Sequence, residues 1–144
     1  MGLTLAPGMT VALDTAPLIY FIEKRAEYFD RLVSFFSRAV ESRIRLVTSM
    51  VTYIEVLTLP ERLGRHDLAA QYRMFLSNSE QLSIYPLDIQ VADQAVQYRA
   101  RLGLKTPDAI QLATARVCRA DVFLTNDRSL QACGDVPVLL VSEL

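Results

Sequence analysis

The stretch T-V-A-L-D-T-A-P, Thr10 to Pro17, carries the decisive reading: four residues suited to a buried strand, then an aspartate, then the opening of a helix. Asp14 serves most simply as the N-cap, its carboxylate accepting hydrogen bonds from the unpaired amides of the first turn. The same order returns downstream. Apolar runs suited to buried strands occur at Leu46 to Thr48, Leu82 to Tyr85, Val122 to Thr125 and Val138 to Val141. Asp127 follows the fourth of these five runs as Asp14 follows the first, ahead of a short helical segment from Arg128 to Gln131.

Helical patterns lie between the runs. Phe29, Leu32, Val33, Phe36 and Val40 recur at helical spacing, as do Leu68, Tyr72, Phe75 and Leu76, and core packing is their simplest role. Ile89, Ala92, Val96 and Ala100 mark a further helix, closed by Gly103 at C′. Thr106, Pro107 and Asp108 then read as N-cap, N1 and N2 of a helix carrying Ala109, Leu112, Ala113 and Val117. Strands alternating with helices predict an α/β fold, a central mostly parallel sheet of about five strands flanked by helices. With 144 residues and no linker, repeat or low-complexity tract, residues 1–144 are expected to form a single domain.

Composition narrows the function. A hydrophobic fraction of 51% against 22% charged excludes a disordered chain. A net charge of -1 excludes a general basic surface for nucleic acid, so contact with phosphate must be local. Cys118 and Cys133 form no metal-binding or disulfide pattern, and the apolar N-terminal stretch is broken by Pro7, Asp14 and Pro17; a cytoplasmic protein without a membrane span is expected. Mean hydropathy of +0.22 hints at an apolar surface covered by a second copy or a partner. No G-x-G-x-x-G or P-loop is present. The one histidine, His66, sits in a polar segment that reads as a solvated loop, which disfavours a Ser-His-Asp triad and leaves a Cys118–His66 pair as a remote alternative.

Carboxylate chemistry is what remains. Asp14 and Asp127 fall where open α/β sheets bind ligands, beyond the carboxyl ends of strands, and Asp108 at a helix start can reach the same crevice. Singly, each is explained by capping or by the helix dipole. Glu55 is the only charged residue between Leu46 and Pro60, within an almost wholly apolar helix, so it lies on a solvent edge, pairs with an arginine, or binds metal. Two carboxylates about 4 Å apart repel by about 4 kcal/mol at an effective dielectric of about 20. Four in one crevice therefore call for a counter-ion, and oxygen ligands without His or Cys suit Mg²⁺ or Mn²⁺. Such an ion activates water and stabilises the charge of an in-line phosphodiester displacement.

The segments V-A-L-D-T-A-P-L-I-Y-F-I-E, T-Y-I-E-V-L, K-T-P-D-A-I-Q-L-A-T-A and F-L-T-N-D, in this order between about Val11 and Val141, resemble the PIN-domain ribonucleases, and among them the VapC toxins of toxin-antitoxin pairs. The resemblance implies an Mg²⁺- or Mn²⁺-dependent endoribonuclease toxin hydrolysing RNA with metal-activated water, its metal held by the catalytic quartet Asp14, Glu55, Asp108 and Asp127. Thr15, Thr125 and Asn126 match family positions that shape the site around those acids. It further implies a homodimer and a cognate antitoxin whose tail lies over helical grooves near the crevice, where Tyr20, Phe21, Tyr28, Phe29, Phe35 and Phe36 offer aromatic surface. Some of these rings should stay exposed in the isolated chain. Lys105 and Arg128, each flanking an acid, are candidate phosphate contacts or ordinary solvated charges. Where some relatives carry a further acid two residues beyond Asp127, this chain has Ser129, which bears on a second metal. The alternatives are a PIN-like module that binds RNA or protein without hydrolysis, and a receiver-like phosphoacceptor. The latter needs an acidic pair after the first strand and a lysine after the last, and neither is here.

Overall fold

A computed structural model describes residues 5–144; of the expected span 1–144, residues 1–4 lie outside it. The chain runs β1 (Thr10–Leu13), α1 (Thr15–Ile22), α2 (Phe29–Glu41), β2 (Arg45–Ser49), α3 (Met50–Arg62), α4 (His66–Asn78) and β3 (Leu82–Tyr85). It continues through α5 (Ile89–Leu102), α6 (Thr106–Val117), β4 (Val122–Thr125), a 3₁₀ segment (Arg128–Cys133), β5 (Val138–Leu140) and a last 3₁₀ turn (Val141–Glu143). All five strands lie in one sheet of order β3-β2-β1-β4-β5, and every neighbouring pair is parallel.

Alternation along the strands divides the core in two. Val11 and Leu13 of β1 and Val122 and Leu124 of β4 face α1 to α4, meeting Leu18, Leu32, Phe35, Val56 and Tyr72. Ala12 and Phe123 face the other way, onto Val91, Tyr98, Ala109 and Leu112 of α5 and α6. Both sheet faces are thus covered, which is why the strands read as unbroken apolar runs.

Several local expectations need correction. Helix α5 buries Val91, Ala95 and Tyr98, whereas Ile89 and Val96 of the anticipated stripe are 75% and 58% exposed. The helix carries two apolar stripes, and the one containing the large Tyr98 ring takes the core. On α2, Val33 and Val40 likewise point outward while Leu32, Phe35 and Ala39 are buried. The N-cap of α6 is Lys105, with Thr106, Pro107 and Asp108 at N1 to N3. The preference of proline for N1 predicts a cap at Thr106, but N2 also needs no intrahelical donor and accepts proline. Val141 belongs to the last 3₁₀ turn rather than to β5, and His66 is an exposed first residue of α4 rather than a loop residue. The segment after Asp127 extends to Cys133. Gly103 closes α5 in the left-handed conformation, φ 66°, as its position after the last turn requires.

Candidate active site

The order of the sheet reverses direction at β1: the chain builds β2 and β3 on one side of it, then returns to lay β4 and β5 on the other. Carboxyl ends at such a switch point form a natural crevice, and the ends of β1 and β4 deliver Asp14 and Asp127 there. Asp14 caps α1, with Oδ1 accepting from the Thr15 amide at 2.8 Å, and its Oδ2 accepts from the buried Thr125 hydroxyl at 2.6 Å. Thr125 Oγ1 in turn accepts from the Asp127 amide at 3.1 Å, so one hydroxyl ties the two strand ends together. Asp127 Oδ1 accepts from the amide and hydroxyl of Ser129, at 3.0 and 2.7 Å, which makes Ser129 a support for Asp127 instead of a further acid.

Glu55 lies on the exposed side of α3, where its Oε1 accepts from the Thr15 hydroxyl at 2.6 Å. Glu55 thus lies at an exposed edge of α3, the one facing Thr15, and among the described residues it pairs with no arginine. Asp108 is half-buried in the first turn of α6. Burial, aided by the charges of Asp127 and Glu55 and opposed by Lys105, lifts its carboxyl above the usual carboxylate range. Burial also lifts Asp14, with the Thr125 and Thr15 hydrogen bonds pulling the other way and the Asp108 and Glu55 charges adding to the rise. All four acids are thus linked by mutual repulsion.

Among the described residues no three acidic, imidazole or thiol side chains converge into a finished metal cage. The cluster is an open one. Its donors are all carboxylate oxygens, and its anionic groups repel one another; both features fit a hard divalent cation that would draw the oxygens in.

The remaining candidates divide. Thr15 and Thr125 contact the acids directly. The Asn126 amide instead donates to the phenol oxygens of Tyr28 at 3.2 Å and Tyr20 at 3.5 Å, whose rings stack at 4.6 Å. Lys105 and Arg128 are exposed, and among the described residues neither enters a salt bridge. The Cys118 thiol donates to Ala115 O and is raised by burial, the opposite of an activated nucleophile. Of the six aromatic residues between Tyr20 and Phe36, Phe35 is buried and the other five are half-buried.

Beneath Thr15 lies a polar cluster that the sequence did not reveal. Thr48, Ser49, Thr52 and Gln111 are each at most 3% exposed and are hydrogen-bonded to one another or to Thr15. The only outward sign is Gln111 itself, a polar residue within the apolar run A-I-Q-L-A.

A parallel sheet of this order, with Asp14 and Asp127 just beyond the carboxyl ends of the strands at its switch point, defines the class as an α/β fold. The description "PIN domain" matches residues 11–135, and the chain belongs to that family. Among solved structures, a DNA-bound VapBC from Salmonella typhimurium is similar at TM-score 0.76 and 21% identity, over 92% of this chain and 98% of that one. VapBC2 from Rickettsia felis, bound to a promoter DNA fragment, gives TM-score 0.73 at 14% identity, over 92% and 98%. VapC20 of Mycobacterium tuberculosis, described as a Sarcin-Ricin loop cleaving toxin, gives 0.67 at 19%, over 88% and 96%. No curated protein matches.

Proposed function

We propose that this chain is a divalent-metal-dependent endoribonuclease, the toxin of a toxin-antitoxin pair. The observation that carries the reading is the set of four carboxylates at the switch point of a PIN-domain sheet, in which Asp108 is repelled by Asp14, Glu55 and Asp127, and Asp14 by Glu55. These four would hold one or two Mg²⁺ or Mn²⁺ ions. A bound ion of this kind supplies an activated water and neutralises charge developing on the phosphodiester. The chain's own residues do the rest: Thr125 orients Asp14 and braces the Asp127 backbone, Ser129 orients Asp127, and Lys105 and Arg128 are free to meet backbone phosphates of single-stranded RNA.

The antitoxin reading is supported by similar structures that are toxin-antitoxin complexes and by a cavity of about 200 Å³ lined by Ile19, Val56, Leu59 and Leu63 together with the charged Glu23, Arg25, Glu55 and Arg65. The outward Ile89 and Val96 on α5 support the homodimer. No helix of the described residues is long and apolar enough to cross a membrane.

Incubating total cellular RNA with the purified chain in Mn²⁺, beside EDTA and Asp108→Asn controls, tests the reading. Discrete fragments from the wild type alone are expected. The open spacing of the acids favours one competitor, a PIN module that binds RNA or protein without cutting. Binding of RNA with no fragments, or equal cutting by the Asn variant, would put that module in place of the nuclease.

A further inference from the structure

The buried cluster beneath Thr15 has a definite proton order. Ser49 Oγ caps α3 by accepting from the Val51 amide at 3.1 Å, and its own proton goes to Gln111 Oε1 at 2.7 Å. That contact fixes the amide of Gln111, whose Nε2 then faces Thr15 Oγ1 at 3.0 Å and Thr52 Oγ1 at 2.9 Å. An NH₂ group only donates, so Thr15 must accept from Gln111, and of the two oxygens its single proton can reach, the charged Glu55 Oε1 at 2.6 Å is closer than Thr52 Oγ1 at 3.2 Å and takes it. The reverse amide orientation would present a carbonyl to Thr15, which has one proton to share between that carbonyl and Glu55. Gln111 stands three residues after Asp108 on α6, and so connects the helix bearing one acid with the helix bearing another.

We infer that Gln111 is a positioning residue of the acidic crevice: its amide turns the Thr15 hydroxyl toward Glu55 and so fixes the rotamer in which Glu55 meets a divalent cation. This rests on the reading of Glu55 as a metal ligand. Neither Gln111 nor Ser49 hydrogen-bonds to an acid among the described residues, and their effect passes through one hydroxyl. Partners that orient a ligand in this way typically contribute about 10- to 100-fold in metal affinity.

Calorimetric titration of Mn²⁺ into the EDTA-stripped full chain tests the inference without reference to RNA cleavage. Gln111→Glu keeps the shape but offers Thr15 an oxygen, drawing its proton away from Glu55. Gln111→Met, of similar length and apolar, serves where a buried charge prevents folding. Each folded variant, checked by near-ultraviolet circular dichroism, should bind Mn²⁺ about 10- to 100-fold more weakly. Thr15→Val should show the same loss and Thr15→Ser, which keeps the hydroxyl, should recover it. Combining Gln111→Glu with Thr15→Val should weaken binding no more than the worse single change, because both act on one bond. A purely packing role predicts lower melting temperatures with wild-type Mn²⁺ affinity, and that result overturns the inference. So does Thr15→Ser binding as weakly as Thr15→Val. A folded wild type that binds no Mn²⁺ overturns the metal reading itself, and Gln111 falls with it; a wild type that binds tightly, beside a Gln111 variant of equal affinity, removes Gln111 alone.

Discussion

Asp108 illustrates what a single residue carries in this molecule. Its carboxyl is raised by burial first and by Asp127 and Glu55 next, so the folded chain binds its proton more tightly than the unfolded chain does. The stabilisation this gives is complete below the unfolded pKa, about 4, and is lost as pH rises through the folded value. At neutral pH without metal, the ionised group therefore works against folding. Asp108→Asn should raise the melting temperature in EDTA at pH 7, and the advantage should vanish when the melts are repeated below pH 4. In Mn²⁺ the same variant should lose RNA cleavage by more than the roughly 100-fold that an orienting partner is worth; fragment yields on gels measure this. Asp14, Glu55, Asp108 and Asp127 could be singled out because carboxylates just past strand ends, at a helix start, or alone in an apolar helix stand out in one dimension. Gln111 was not: its partners Ser49, Thr52 and Thr15 lie 59 to 96 positions away, and only folding brings them together.

At the scale of elements, the strands were legible almost to the residue and the helix faces were not. A buried parallel strand announces itself by an unbroken apolar run. A helix with two apolar stripes, as α5 has, leaves its orientation to tertiary packing, and Tyr98 against Phe123 and Leu112 in the second core decides it. The two faces should respond differently to substitution. Ala95→Leu, at a position 6% exposed, should cost about 1–3 kcal/mol by overpacking. Val96→Lys, one residue on and outward, should leave unfolding of the monomeric chain, measured at concentrations too low for the proposed dimer to form, within about 0.5 kcal/mol of wild type. Urea midpoints for the pair measure the contrast, and equal losses would mean that α5 sits the other way round.

Across the whole molecule, the sheet order, more than any one strand, makes the crevice. Because β1 is flanked by β2 and β4, the loops leaving β1 and β4 open on the same gap. The helix following β2 carries Glu55 to it and the helix preceding β4 carries Asp108. A chain of net charge -1 thus brings four acids within electrostatic reach of one another through Asp108 and Asp14, an arrangement whose electrostatic cost a bound cation would offset. Mass action turns this into a number: a ligand that binds only the folded state at 100 times its Kd adds about 2.7 kcal/mol of stability. Millimolar Mn²⁺ should therefore raise the melting temperature of the wild type, and Ca²⁺-free EDTA buffer should return it to the metal-free value. Asp14→Asn removes a carboxylate oxygen from the cluster and should show a much smaller rise in the same titration. Equal shifts in the two proteins would mean that Mn²⁺ binds elsewhere on the surface and that the raised Asp14 carboxyl reflects burial alone.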